Sequence, residues 1–214
     1  MDTGKREHWD RVYESKKATE VSWYRSHLDV SLDLVARVAP DRKSAIIDVG
    51  GGAATLVDDL LGRGYEDVTV LDISASALDV ARARLGDAAT RVKWLSGDVT
   101  TVELPEAWYD VWHDRAVFHF LTESAQRSAY VRQVRRSVRE GGHVIVGTFG
   151  PEGPLQCSGL DVVRYDADSL HEQFGAGFEL VERKEEVHQT PLGRQQQFVW
   201  CVCRRVGHGS GTRG

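Results

Sequence analysis

The chain has 214 residues, a net charge of −5, 41% hydrophobic and 28% charged residues. That size and apolar content suit one domain with a real core, and the charge mix is not that of a disordered chain. Mild acidity gives no general attraction to phosphate backbones, so no nucleic-acid partner is expected. No apolar run approaches the roughly 20 residues of a membrane helix, so no membrane partner is expected either. The opening MDTGKREHWD lacks the apolar core of a signal peptide. Three cysteines, Cys157, Cys201 and Cys203, are an odd number without zinc-like spacing and point to a reducing, cytoplasmic setting.

Residues 7–25 carry Trp9, Tyr13, Trp23 and Tyr24, an aromatic density expected to pack on something. Residues 1–40 are expected to form a helical lid. From residue 44 the chain alternates. SAIIDV is a short apolar strand running into glycines, and 55–63 reads as a helix. VTVLD is the second strand, and Ser74 suits the N-cap of a helix through about Leu85. VKWLSG and YDVWHD follow as strands. A helix over 123–139 is expected to end at Gly141 and Gly142. HVIVGTF is the fifth strand, and 168–174 is a short helix. FELVERKEEVH and QQQFVWCVCRR flank TPLGR as an antiparallel hairpin, in which Cys201 and Cys203 share one face. The pattern of five βα units and a hairpin predicts an open α/β sheet with helices on both faces. One domain over 1–205 is expected, its core at 44–205, with a disordered tail over 206–214 and a monomer or homodimer as the assembly.

The informative segment is IIDVGGGAATL, residues 46–56. A strand there runs into Gly50, Gly51 and Gly52 and then a helix. Open parallel sheets bind ligands beyond the carboxyl ends of their strands. Asp72 closes the next strand about 20 residues on, where a carboxylate suits ribose hydroxyls. Asp98 follows the third strand, placed to accept from an adenine amino group. Singly, either acid also suits a helix cap or turn. A dinucleotide fingerprint beginning at Gly50 needs Gly or Ala at position 55, where Thr55 stands. Asp48 sits badly beside a pyrophosphate and well beside a cationic amino acid.

IIDVGGGAATL, VLDIS, SGDV and YDVWHDRAVFHFL resemble, in order and spacing, the successive motifs of the class I S-adenosylmethionine-dependent methyltransferases. The resemblance covers residues 7–205 and implies a Rossmann-like three-layer sandwich. Its seven-stranded, mostly parallel sheet would have the order 3-2-1-4-5-7-6. It implies S-adenosylmethionine as methyl donor. Asp48, Gly50 and Gly52 would hold its methionine part, Asp72 the ribose, and Ile73, Asp98 and Val99 the adenine. Trp9 and Tyr13, in a W-D-x-x-Y that resembles the lid of small methyltransferases, would cover the donor together with Trp23.

Methyl transfer from a sulfonium is an in-line displacement in which positioning can do most of the work. No metal and no covalent nucleophile is suggested. Tyr13, Asp114 and His119 are the catalytic candidates, with Asp114 also placed near the donor's amino group. Arg115 either orients an acidic substrate or pairs with Asp114. An internal ion pair with a packed histidine is the structural alternative. Trp23, Arg115, Arg164 and Tyr165 are the substrate candidates. A small-molecule acceptor is the leading expectation. The layout also resembles protein-lysine methyltransferases, and a catalytically silent cofactor-binding module or an NAD-linked oxidoreductase are further readings.

Overall fold

The computed structural model describes residues 3–15 and 20–207. Segment 208–214, most of the expected tail, lies outside the described residues.

Seven strands form one sheet in the order β3-β2-β1-β4-β5-β9-β8. They are β1 (Ala45–Val49), β2 (Asp67–Asp72), β3 (Val92–Ser96), β4 (Tyr109–Arg115), β5 (Val138–Phe149), β8 (Phe178–Gln189) and β9 (Gln195–Arg205). A separate two-stranded ribbon, β6 (Gln156–Cys157) and β7 (Leu160–Asp161), sits in the loop after β5. Counted without that ribbon, the order is the expected 3-2-1-4-5-7-6. β1 to β5 run parallel, and β9 runs antiparallel to both β5 and β8. All five residues of β1 are buried, as a central parallel strand covered on both faces requires.

Alternation along the strands splits the core in two. On one face Ile46, Val70, Val111 and Ile145 pack with Leu32 and Val35 of α2 (Asp29–Val38) and Leu56 and Leu60 of α3 (Leu56–Gly62). Leu78 of α4 (Ala75–Leu85) joins the same cluster. On the other face Ile47, Trp112, Val144 and Cys201 meet Tyr130 and Val134 of α5 (Ser124–Ser137) and Leu170 of α6 (Ala167–Glu172). Cys201 and Cys203 are buried on that face, their sulfurs 3.2 Å apart. The first helix, α1 (Thr3–Ser15), packs on α4.

Ser74 caps α4 as expected, accepting from the Ala77 amide at 3.1 Å. Thr55 precedes α3, and its hydroxyl donates to the Arg25 carbonyl at 2.9 Å and ties down the chain entering α2. Two expectations change. The long helix stops at Ser137, and Gly141 and Gly142 fall inside β5. There Tyr109 pairs with Val138 while Val111 pairs with His143, so residues 139–142 bulge out of the ladder. Gly141 takes a φ of +78° at that bulge. Finally, the connection from β3 to β4 carries turns where a fifth βα unit would need a helix.

Candidate functional site

At the carboxyl ends of β1 to β3 the glycine loop turns back on the sheet. Gly50 adopts φ +69°, and its amide donates to the Leu71 carbonyl at 2.7 Å. A Cβ on Gly51 would lie 2.4 Å from Asp48 Oδ2, and one on Gly52 2.5 Å from Asp72 Oδ2. Only glycine lets this backbone close over two carboxylates. Asp72 Oδ1 accepts from the Ser74 amide at 2.8 Å, with a further bond from the Gly52 amide. Burial pushes its carboxyl up to about 7, and Asp48 and Asp10 nearby push the same way. Asp98 Oδ1 accepts from the Thr100 amide and hydroxyl at 2.8 and 2.7 Å, which fixes the turn after β3. Asp72, Ile73, Asp98 and Val99 all line one cleft with Gly50.

On β4 the polar residues divide by face. His113 points to the α2 side, where its Nδ1 lies 2.7 Å from Asp48 Oδ1 and its ring sits beside Trp200. Arg115 shares that side, its guanidinium carbon 4.7 Å from the Phe198 ring centre and its Nη1 donating to the Trp23 carbonyl at 3.2 Å. Burial lowers this guanidinium to about 10. Asp114 points the other way. It is fully buried and accepts from Tyr130 Oη at 2.7 Å and from the Val117 and Phe118 amides, while Trp112 Nε1 donates to Tyr130 Oη at 2.8 Å. Burial raises Asp114 to about 6.

A roof of aromatic rings covers the cleft. Trp9 meets Trp23 and Phe120 edge-on at 5.7 and 5.2 Å, and Tyr13 meets Trp23 at 6.3 Å. Asp10 of α1 accepts from Ser74 Oγ at 2.6 Å, so the roof is tied to the cap of α4. Tyr13 accepts a hydrogen bond from the Trp23 indole, and burial raises its hydroxyl well above the ordinary phenol range.

A model of the methyltransferase domain matches residues 46–142, the stretch that builds this edge. Residues 46–142 thus carry a methyltransferase domain, in line with the resemblance to the class I S-adenosylmethionine-dependent methyltransferases. The enzyme is 25% identical over 142 residues to the mouse (Mus musculus) eEF1A lysine and N-terminal methyltransferase, covering 66% of this chain and 20% of that protein. It thus spans about a fifth of the length of those relatives. It is 33% identical over 123 residues to an uncharacterized methyltransferase of Mycobacterium tuberculosis, covering 58% of each. Among solved structures, one described by the conversion of a disulfide bond into a thioacetal group during echinomycin biosynthesis superposes with a TM-score of 0.77. It is 19% identical and covers 96% of this chain and 93% of that one. S-adenosylmethionine is the cofactor of that family, and the edge suits it. Two carboxylates pressed under a tight glycine loop would repel a pyrophosphate and tolerate a phosphate-free, cationic nucleoside.

Of the residues singled out in the methyltransferase's sequence, Trp9, Tyr13, Trp23, Gly50, Asp72, Ile73, Asp98, Val99 and Arg115 line the cleft together. Asp48 lies just beneath the loop, and Gly52 is part of it, packed over Asp72. Four do not reach the cleft. Asp114 faces α5, because adjacent residues of a strand point to opposite faces, and so it neither approaches the donor edge nor pairs with Arg115. His119 is fully buried between Phe120 and Phe149, ring centres 4.5 and 4.7 Å away. Burial, aided by Arg115, lowers it to about 3, so it is neutral near pH 7. Tyr165 is buried against Phe118, 5.7 Å between ring centres. Arg164 donates to the carbonyls of Pro151 and Gly153 at 2.6 and 3.1 Å and pins the turn after β5. The cleft adds Phe120, Phe149, Cys157 and Phe198, which sequence reasoning did not assign to the site. Phe149 and Phe198 meet there because they pair across β5 and β9. A signal existed in that Phe149 closes one apolar strand run and Phe198 opens another, but register places them together.

Proposed function

We propose that this methyltransferase transfers a methyl group to a small-molecule acceptor bound beneath α1. The observation that carries the reading is the aromatic roof. Trp9 and Tyr13 of α1, with Trp23, roof part of a cleft of about 130 Å³ and narrow the space left for an acceptor. In this reading the Gly50–Gly52 backbone and Asp48 hold the methionine part of the cofactor, Asp72 accepts from the ribose hydroxyls, and Ile73, Asp98 and Val99 frame the adenine. Bound there, the cofactor supplies an electrophilic methyl group. Trp9, Tyr13 and Trp23 exclude water and present π faces to positive charge. The acceptor is aligned by the walls of the cleft, and alignment is the main catalytic contribution. No general base is assigned: His119 is neutral and buried away from the cleft, and Tyr13 keeps its proton.

A protein-lysine acceptor is the second reading, favoured by the eEF1A lysine and N-terminal methyltransferase relatives. It would need an opening for a protein chain and a group to take the ammonium proton. The discriminating experiment incubates the enzyme with methyl-labelled cofactor and cell lysate, then separates protein from low-mass fractions. Label in the low-mass fraction is expected. Label confined to protein bands would establish the second reading instead.

A further inference from the structure

The acceptor half of the cleft carries one feature that the donor does not use. Arg115 reaches the cleft from the end of β4 over the Phe198 ring, and its Nη1 is fixed by the Trp23 carbonyl at 3.2 Å. Its Nη2 is buried and has no hydrogen-bond partner among the described residues. A buried cationic donor without an acceptor is costly and is retained where something else supplies the acceptor. The surrounding residues do not supply it. Glu186 steadies the charge through space, but its Oε2 accepts from Trp200 Nε1 at 2.9 Å and its Oε1 faces Arg25 at 3.8 Å. The Cys157 thiol is pushed by burial up to about 12 and stays protonated. Asp48 is turned to His113. The other walls here, Trp23, Phe120, Phe149 and Phe198, are aromatic.

We infer that the acceptor of this enzyme is a small carboxylic acid with an apolar or aromatic body, whose carboxylate is received by Arg115 Nη2 while its body packs between the phenylalanines of the cleft. Charge-assisted bonding of a guanidinium to a carboxylate gives both energy and orientation. A monoanion matches the buried unpartnered nitrogen, whereas a phosphate dianion would leave charge uncompensated among the aromatic walls. Arg115 is thus a specificity-determining residue. It fixes which end of the acceptor lies at β4 and which end is free to meet the donor edge across the cleft. The inference rests on the small-molecule reading given above.

The test uses the full chain saturated with S-adenosylhomocysteine and two probes of one shape, phenylacetate and phenylacetamide, titrated calorimetrically. The acid is expected to bind at least tenfold more tightly than the amide. Arg115→Gln should erase that preference while leaving the affinity for S-adenosylhomocysteine unchanged. Arg115→Lys, which keeps the charge without the planar fork, should retain part of it. Equal binding of acid and amide, or no binding of either probe to the loaded wild-type protein, would overturn the inference, as would a preference that survives in Arg115→Gln. Should Arg115→Gln fail to fold, the wild-type comparison and Arg115→Lys decide. A protein that binds neither probe nor S-adenosylhomocysteine would instead bring down the cofactor-edge assignment. Label found only on protein in the lysate experiment would bring down the small-molecule reading while these titrations stand.

Discussion

His113, Asp114 and Arg115 are consecutive on β4, yet they end in opposite kinds of environment. Toward α5, Asp114 closes a complete network in which the Tyr130 hydroxyl and two backbone amides donate to it, and Trp112 donates to Tyr130. Toward α2, His113 Nε2 and Arg115 Nη2 are both buried without a partner among the described residues. A completed polar network holds a fold together, and an incomplete one beside a cleft is where a ligand finishes the bonding. The same contrast separates Asp114 from Asp72. Both are buried carboxyls shifted upward, but only Asp72 opens on the cleft.

The largest effect should come from the completed side. Asp114→Ala leaves three donors, two of them buried, without an acceptor and should lower unfolding stability by about 2–4 kcal/mol. That loss would be read by urea denaturation, with S-adenosylhomocysteine affinity in the folded fraction within about twofold of wild type. A stable variant that no longer bound the ligand would erase the distinction. Next, Asp72→Ala should weaken S-adenosylhomocysteine by about 1–3 kcal/mol through lost charge-assisted bonds while leaving the melting profile near that of wild type or above it. Unchanged affinity would make Asp72 structural, like Asp114.

The pH dependence sharpens the point. Asp72 is held near 7 in the folded, unliganded chain, above its ordinary carboxylate value. Ribose hydroxyls donate best to the ionised form, so affinity should rise by up to about tenfold between pH 6 and pH 8. Stability of the unliganded chain should move the other way. A raised folded-state pKa gives stabilisation that is fully present below about pH 4 and is lost as pH climbs through 7. Asp114, raised to about 6, adds to that trend over a slightly lower window. Calorimetric titrations and thermal melts across this range should show opposite slopes, both flattened in Asp72→Asn. Parallel slopes would contradict the assignment. The smallest effect belongs to the roof. Asp10→Ala removes the bond to Ser74 Oγ and should cost about 1 kcal/mol, seen as faster hydrogen exchange confined to α1. Exchange unchanged across α1 would mean that ring packing alone holds the roof.

The sheet and its donor edge were legible because their signals are local. Short apolar runs ending in glycine or aspartate place Gly50, Asp72 and Asp98 at strand tips without knowledge of what packs where. The middle of the site was not, because it turns on the face of β4 each side chain takes and on what meets it there. Asp114 reads as a cleft residue until Tyr130 of α5 claims it. Phe149 and Phe198 enter the cleft only through the antiparallel register of β5 on β9. Gly141 and Gly142 read as a helix stop, yet the helix yields to β5 four residues earlier and the glycines shape a bulge. In each case a nonlocal contact overrode a sound local signal.

The division of β4 and the donor edge can be tested together by titrating S-adenosylhomocysteine into folded wild-type, Asp72→Ala and Asp114→Asn proteins under one set of conditions. Tight binding by wild type and Asp114→Asn, with a loss of about 5- to 150-fold in Asp72→Ala, is the expected result. Binding abolished in folded Asp114→Asn and preserved in Asp72→Ala would place the donor on the other face of the strand and contradict the account.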